Sequence, residues 1–290
     1  MIRSIAALAL FSFLSTAFAA PPLSVVDDAG RTVRLPSVPH RIVSIAPGAT
    51  EMLFAAGAGD RVIATVEFSD EPAAAQKIPR IGDSNAIDME RVVALRPDVV
   101  VVWEGGSNVA QVNRLERLDV PLYRHKVETL ADIPVSLRRL GALTGTRDIA
   151  EKAAADVEAR LQRLATVYGK NKGPTVLLEV WNRPIYTVGG SHMMSDSLRL
   201  CGARNIFADL REQGPSVDTE AVIGRDPEII VAVAPPGSAA EWLAEWKRFG
   251  TMRAVKNGRL VPFEDTRLSR LGPSALAGTE ALCEALHAKR

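Results

Sequence analysis

The chain has 290 residues, 47% of them hydrophobic, and sets 35 basic against 34 acidic side chains for a net charge of +1. That apolar content belongs to a folded chain long enough for two domains of ordinary size, which excludes a largely disordered protein. Balanced charge without long runs of one sign leaves no electrostatic footprint for nucleic acid or an anionic membrane.

Residues 1–19 read as a signal peptide. Arg3 supplies the positive end, Ile5–Phe13 an apolar core too short to span a bilayer, and Ala17-Phe18-Ala19 the small residues expected before cleavage at Ala20. No cysteine follows that core, so no lipid anchor of the bacterial lipoprotein kind is expected. No later segment has the roughly 20 apolar residues of a transmembrane helix. The expectation is an exported, soluble chain, which in a Gram-negative cell means the periplasm. Cys201 and Cys283 are the only cysteines. In an oxidising compartment they are expected to pair and staple the second half of the chain, the alternative being two buried thiols.

Leu23–Val26 and Thr32–Leu35 predict an edge hairpin. Arg41–Ile45 is an apolar strand that turns at Ala46-Pro47-Gly48 into a helix opened by Ala49 or Thr50 and ended by Gly57. Val62–Val66 is the next strand. Val99–Val102 is apolar throughout, as a parallel strand covered on both faces requires. Gln111–Leu118 predicts a helix and Pro121–Tyr123 a strand. From Ile149 to Tyr168 there is no Pro or Gly, and Ile149, Ala153, Val157, Leu161, Leu164 and Tyr168 recur at three- to four-residue spacing. That pattern predicts one helix about 30 Å long at about 1.5 Å per residue. Val176–Val180 opens a second series: a helix through Leu198 and Leu200 ending at Gly202, the strand Ile229–Val233, a helix around Trp242–Phe249 and a last helix Ala275–Ala288.

Two stretches repeat each other. Ile87-Asp88-Met89-Glu90 leads through Val92-Val93 to Pro97-Asp98-Val99-Val100-Val101, and Val217-Asp218-Thr219-Glu220 leads through Val222-Ile223 to Pro227-Glu228-Ile229-Ile230-Val231. Each is an acidic helix start, an apolar helix, a proline break and a buried strand. Asp88 is an N-cap residue, and Glu90 and Glu220 sit where the helix dipole favours negative charge. Strand and helix alternate throughout, so the fold class is α/β: two Rossmann-like lobes with mainly parallel sheets joined by one long helix. The divisions are 20–147, 148–169 and 170–290. A single stiff linking helix predicts a mostly preformed cleft.

The residues name no catalytic machinery. There is no Gly-x-Ser-x-Gly elbow, and Gly189-Gly190 falls short of a dinucleotide fingerprint, so an exported α/β hydrolase would lack a recognisable nucleophile. His40, His125, His192 and His287 are far apart and without i, i+4 pairing, so a bare transition-metal site is not expected, nor any resident cofactor. A binding cleft finds more support, because strand ends in α/β lobes point loops into a crevice. Those loops carry Pro47-Gly48, Phe68-Ser69-Asp70, Gly82-Asp83-Ser84, Trp103-Glu104-Gly105-Gly106, Trp181 through Tyr186, Gly189-Gly190 and Asp265-Thr266-Arg267. Aromatic residues are only 5% of the chain, so Trp103 at a strand end is expected to line the cleft. Trp181 and Tyr186 either line it or pack under their own loop. Trp242 and Trp246, at helical spacing, read as core.

Taken together, these residues resemble the periplasmic cobalamin-binding proteins. The likeness runs through Arg41–Glu51 with Ala55-Ala56-Gly57, Ser69-Asp70 with Pro72 and Gln76-Lys77-Ile78, and Glu90–Asp98. It continues through Trp103 with Gly105-Gly106, Cys201-Gly202 with Asn205-Ile206-Phe207, and Cys283. The wider family of substrate-binding proteins for siderophores, haem and corrinoids shares two lobes and a single helical linker, the class III architecture. The resemblance implies that Phe68 and Trp103 stand against a corrin, that Asp265–Arg270 forms a corrin-contacting loop, and that Cys201 and Cys283 are disulfide-linked. It also implies that Glu90 and Glu220 dock on arginines of an ABC importer permease in the inner membrane, the bland alternative being helix-start electrostatics alone. The expected ligand-contacting set is Pro47, Gly48, Phe68, Ser84, Trp103, Glu104, Gly105, Trp181, Tyr186, Gly190, Asp265, Arg267 and Arg270. His192 reads either as an axial ligand to a bound metal or as an exposed loop histidine. Ser84 and Gly214 stand where tryptophans are usual, and the loop after Asp265 is one residue longer. A carrier that presents both lobes to a permease is expected to be a monomer; haem or a ferric siderophore is the alternative cargo.

Overall fold

The structure, a computed structural model, describes residues 22–83, 86–169 and 173–288. The expected signal peptide and Ser84 lie outside these residues. β1 (Leu23–Val26) and β2 (Thr32–Leu35) form the expected antiparallel hairpin, with Val25, Val33 and Leu35 turned into the core. The first lobe follows as β3 (Ile42–Ser44), α1 (Pro47–Ala55), β4 (Val62–Ala64), α2 (Met89–Ala94), β5 (Val99–Trp103), α3 (Val109–Arg117) and β6 (Leu122–His125). Its four strands lie parallel in the order β4-β3-β5-β6. Both faces of β5 are covered: Val99 and Val101 enter one apolar cluster and Val100 and Val102 another, which is why the strand is apolar at every position.

Next come α4 (Asp132–Thr144) and α5 (Arg147–Tyr168). The second lobe contains β7 (Thr175–Glu179), β8 (Trp181–Asn182), β9 (Ile185–Tyr186), α6 (Met193–Leu200), β10 (Arg204–Asn205), β11 (Ser216–Val217), α7 (Thr219–Arg225), β12 (Ile229–Val233), α8 (Ala239–Trp246), α9 (Arg253–Lys256), β13 (Leu260–Phe263) and α10 (Ser274–His287). β7, β10, β12 and β13 are parallel in the order β10-β7-β12-β13. In each lobe the first strand lies between the second and third, with the fourth outside. The two lobes therefore share one topology, as the repeated stretches predict.

Several elements differ from the sequence reading. α1 begins at Pro47, ahead of Ala49 and Thr50, with Ala46 at the N-cap; proline suits the first helical position because its missing N–H has no intrahelical partner there. On α5 the buried face is Ala150, Ala154, Val157 and Leu164, whereas Ile149 is 52% exposed. α8 stops at Trp246, short of Phe249. The small sheet β11-β9-β8, α9, β13 and α4 were not anticipated. Pro134 and Gly141 disguise α4 in the sequence. Pro134 occupies the first turn, where it is tolerated. A Cβ at Gly141 would fall 2.3 Å from that of Ala150, so glycine is what lets α4 close on α5.

One apolar cluster runs through both lobes, taking Val101 and Tyr123 from the first, Leu137, Ala154 and Val157 from α4 and α5, and Val231, Leu282 and Leu286 from the second. Arg160 on α5 grips Glu280 on α10 through two hydrogen bonds of 3.0 and 2.7 Å. Cys201 and Cys283 form the expected disulfide, Cα atoms 4.8 Å apart and 82 positions distant in sequence. A loop of that length stabilises the fold by about 4 kcal/mol in the chain-entropy view. Trp242 and Trp246 are buried core residues, as their spacing predicts.

Glu179 ends β7 almost wholly buried and accepts a hydrogen bond of 2.8 Å from Trp246 Nε1. Burial pushes its carboxyl up from 4.5 to about 7. A raised folded-state pKa favours the protonated form, so this contribution is present below pH 4.5 and is lost as pH rises through about 7. Glu179→Gln keeps an acceptor for Trp246 without the buried charge. The variant is expected to gain up to about 3 kcal/mol over the parent at pH 8 and little at pH 4.5. Thermal unfolding at the two pH values checks this; an equal shift at both would contradict it.

Candidate functional site

The loops after β3, β4, β5 and β6 face a turn that follows β13, and between them lies a cleft of about 460 Å³. The first lobe contributes Pro47, Gly48, Phe68, Asp70, Trp103 and His125; the second contributes Thr266, Ser269, Arg270 and Leu271. A second compartment of about 270 Å³ shares Trp103, Ser269 and Leu271 with it and is bounded further by Glu104, Gly105, Val127, Glu128, His192, Met193 and Gln213. Strand ends in open α/β sheets are where such crevices form.

Two features hold the lobes together at the cleft floor. A Cβ at Gly48 would fall 2.6 Å from the Leu271 carbonyl oxygen, so glycine permits the two backbones to approach. Glu51 on α1 receives hydrogen bonds from the Ser274 backbone N–H and, at 2.8 Å, from its hydroxyl at the start of α10. Burial raises the Glu51 carboxyl above its ordinary range, against the Ser274 hydrogen bonds, which lower it. Neither the clamp nor Glu51 itself was foreseen from the sequence, because its partner is 223 positions away.

Phe68 stands at the cleft lip, 73% exposed, with φ at +64°. Left-handed backbone is uncommon outside glycine and is maintained where the surroundings over-determine it. Here Thr65 Oγ1 bonds Ser69 Oγ at 2.9 Å, and Arg80 donates to the Ser69 carbonyl at 2.9 Å, pinning the turn beneath the ring. Trp103 is half-buried, its backbone N–H donating to Ser107 Oγ at 2.9 Å. Its indole lies over Gly106, where a Cβ would fall 2.0 Å from the ring. Glu104 is held by Arg124 at 3.0 Å.

Other sequence-predicted residues sit elsewhere. Asp265 and Arg267 bind each other at 2.9 and 3.1 Å and border neither compartment. The Arg267 hydrogen bond holds the Asp265 carboxyl below the usual range. Within that loop it is Arg270 that reaches the cleft. Trp181 and Tyr186 face one another across β8 and β9, half-exposed and outside the cleft lining. Trp181 Nε1 donates to the Arg183 carbonyl at 3.2 Å, and its ring meets Trp242 edge-on at 5.9 Å. Gly190 lines a separate depression with Ser191 and Asn205. His192 borders the small compartment, but its Nδ1 accepts from the Met194 N–H at 3.1 Å to cap α6. Burial lowers its pKa to about 4. A neutral ring that accepts at Nδ1 carries its proton on Nε2, so no lone pair is left there for a metal. That geometry turns His192 from an axial ligand into a capping residue.

His125 was passed over in the sequence and proves to be a wall of the cleft. It ends β6 directly beside Trp103 in the parallel sheet. Its Nδ1 lies 3.1 Å from Asp28 Oδ2, an oxygen that also accepts from Ser136 Oγ at 2.6 Å. Burial pushes the Asp28 carboxyl up, but the hydrogen bonds it receives from His125, then Ser136 and the Lys126 amide, outweigh burial and hold it below the usual range.

Glu90 on α2 and Glu220 on α7 are both exposed one residue into their helices. The caps match as well: Asp88 accepts from the Arg91 N–H at 2.9 Å and Asp218 from the Ala221 N–H at 2.6 Å. Glu220 also edges a surface depression of about 580 Å³, which is lined by the second lobe alone and lies apart from the cleft. Among the described residues no three metal-ligating side chains converge, and no helix is long and apolar enough to cross a membrane.

Two α/β lobes of one topology, bridged by a helix and enclosing an aromatic-edged cleft, define a two-lobe solute-binding protein. The chain belongs to the periplasmic binding protein family, whose profile matches residues 42–265. It is 32% identical over 248 residues to a vitamin B12-binding protein of Vibrio cholerae, covering 84% of this chain and 88% of that one. It is likewise 32% identical over 254 residues to a vitamin B12-binding protein of Pectobacterium carotovorum, with coverage of 87% and 90%. The crystal structure of the periplasmic vitamin B12 binding protein of Vibrio cholerae superposes with a TM-score of 0.79 at 30% identity over 86% of this chain and 97% of that one. A periplasmic haem-binding protein from Pseudomonas aeruginosa superposes with a TM-score of 0.73 at 26% identity, covering 87% and 94%.

Proposed function

We propose that this chain is exported to the periplasm, with its signal peptide cleaved near Ala19, captures cobalamin or a related corrinoid between its lobes, and delivers it to an ABC importer in the inner membrane. The observation that carries the reading is the inter-lobe cleft, with Phe68 and Trp103 on one wall and Arg270 and Leu271 on the other, in a chain that is similar to vitamin B12-binding proteins over most of its length. A large flat ligand is suited to aromatic side chains at a cleft edge, where ring faces supply apolar area in a fixed geometry. The apolar cluster shared by both lobes favours a cleft that changes little on loading. On this reading the lobes divide at 147/148 and 169/170, the protein works as a monomer, and it performs no chemistry. The Ser136 hydroxyl lies against Asp28 and Nδ1 of His125 instead of Nε2, where a triad serine would have to stand, so these three side chains do not form a catalytic triad.

A second reading keeps the fold and changes the cargo. The aromatic residues of the cleft come from the first lobe only, and Arg270 offers a cation from the second, which suits an anionic ligand such as haem or a ferric siderophore. Parallel absorbance and calorimetric titrations with cyanocobalamin, haemin and a ferric hydroxamate separate the two. One-to-one binding of cyanocobalamin alone is expected. A response to haemin or the hydroxamate with silence toward cyanocobalamin would replace the corrinoid by the anionic cargo.

A further inference from the structure

We propose that His125 is the cleft's specificity-determining acceptor, its Nε2 lone pair taking a hydrogen bond from a side-chain amide N–H of the bound corrinoid. The inference rests on the corrinoid reading above and adds the group by which the cargo is recognised.

The His125 ring is 1% exposed, yet it forms part of the cleft wall beside Trp103. Asp28 fixes its orientation and tautomer. The Asp28 carboxylate is also tied to Tyr123 Oη at 3.1 Å, Arg139 at 3.2 Å and the Lys126 N–H at 3.2 Å, so it cannot swing away. In its neutral form the ring, with the Nδ1 proton donated to that carboxylate, presents an acceptor at Nε2. Among the described residues that atom is buried and has no hydrogen-bond partner. Buried polar atoms are nearly always satisfied, and an orphan held this firmly calls for a partner from outside the chain. Three carboxylates of the two compartments are already paired within the chain. Asp70 pairs with Arg80, Glu104 with Arg124 and Glu128 with Lys126. Corrinoids carry carboxamides around the macrocycle, which supply N–H donors that a haem, with its carboxylates, does not. An oriented acceptor that would be left unsatisfied by the wrong ligand discriminates more sharply than apolar contact does.

The test compares two probes in which both axial positions of cobalt are filled by cyanide, so that no histidine can bind the metal. Dicyanocobinamide keeps the side-chain amides; dicyanocobyrinate heptamethyl ester replaces them with esters that have no N–H. The wild-type chain is expected to bind the amide probe about tenfold more tightly than the ester. His125→Asn retains an N–H near the Nδ1 position to hold Asp28 but has nothing at the Nε2 position, and it is expected to lose that preference. His125→Gln places an amide oxygen near Nε2 and is expected to restore part of it. Equal wild-type affinity for the two probes would overturn the proposal without recourse to any variant, and so would an unchanged preference in His125→Asn. An effect of His125→Asn on aquacobalamin but not on the dicyano probes would place the lone pair on cobalt and overturn it as well. If the wild-type chain bound no corrinoid at all, the cargo reading itself would fall, an outcome distinct from binding that ignores residue 125.

Discussion

Reversing both Glu90 and Glu220 to lysine is expected to abolish uptake of the cargo by cells while leaving its affinity for the purified protein unchanged. The two carboxylates are exposed at equivalent positions, one per lobe, each in the first turn of a helix capped by an aspartate. Asp88 and Asp218 remain in the variant, so α2 and α7 keep their caps and lose only the interaction of glutamate with the helix dipole, about 0.3–1 kcal/mol each. That cost is small against a normal fold, and neither residue borders the cleft. A permease surface bearing cations would instead meet two like charges, and such juxtaposition costs several kcal/mol. Single reversals are expected to leave partial uptake, because the other lobe still docks. Uptake in a strain lacking its own carrier, read beside calorimetry of the purified variant, checks the prediction. Loss of ligand affinity in the double variant would remove these residues from the docking surface, and undiminished uptake would leave them as helix-start charges.

Trp103→Ala is expected to weaken cyanocobalamin binding by about 30- to 150-fold, or about 2–3 kcal/mol. The indole is shared by both compartments and stands on the packed floor formed by Gly106, so its ring is pre-oriented and little entropy is lost when a ligand covers it. Trp103→Phe keeps a flat apolar face and is expected to retain most of the affinity. Because Trp103 also touches the apolar cluster, each variant is compared by thermal unfolding as well as by titration. A folded Trp103→Ala protein that bound as the parent does would show that the ligand lies elsewhere.

The contrast between His192 and His125 shows where sequence reasoning reached its limit. Both are isolated histidines near strand ends or loops, and nothing in their local sequence ranks one above the other. His192 follows a glycine pair and looks mobile, yet it spends its lone pair on a helix cap. His125 follows a strand and looks structural, yet it borders the cleft with an orphaned nitrogen. The deciding partner, Asp28, is 97 positions earlier in the chain. Asp265 and Arg267 teach the same point at short range: two charged residues predicted to meet a ligand meet each other instead, leaving Arg270 to face the cleft.

What the sequence by itself determined is everything written in local periodicity and capping chemistry. The fully apolar strands Val99–Val102 and Ile229–Val233, the matched acidic helix starts at Asp88 and Asp218, and the unbroken α5 helix are all legible because each depends on neighbours within a turn or a strand. The tertiary structure alone decided how α4 closes on α5 through Gly141, how Glu51 and Ser274 clamp the lobes, and which of the strand-end side chains share one cleft. Those outcomes depend on burial and on partners from nine to more than two hundred residues away, and a close approach, a hydrogen bond or a desolvated charge has no signature in sequence until the chain has folded.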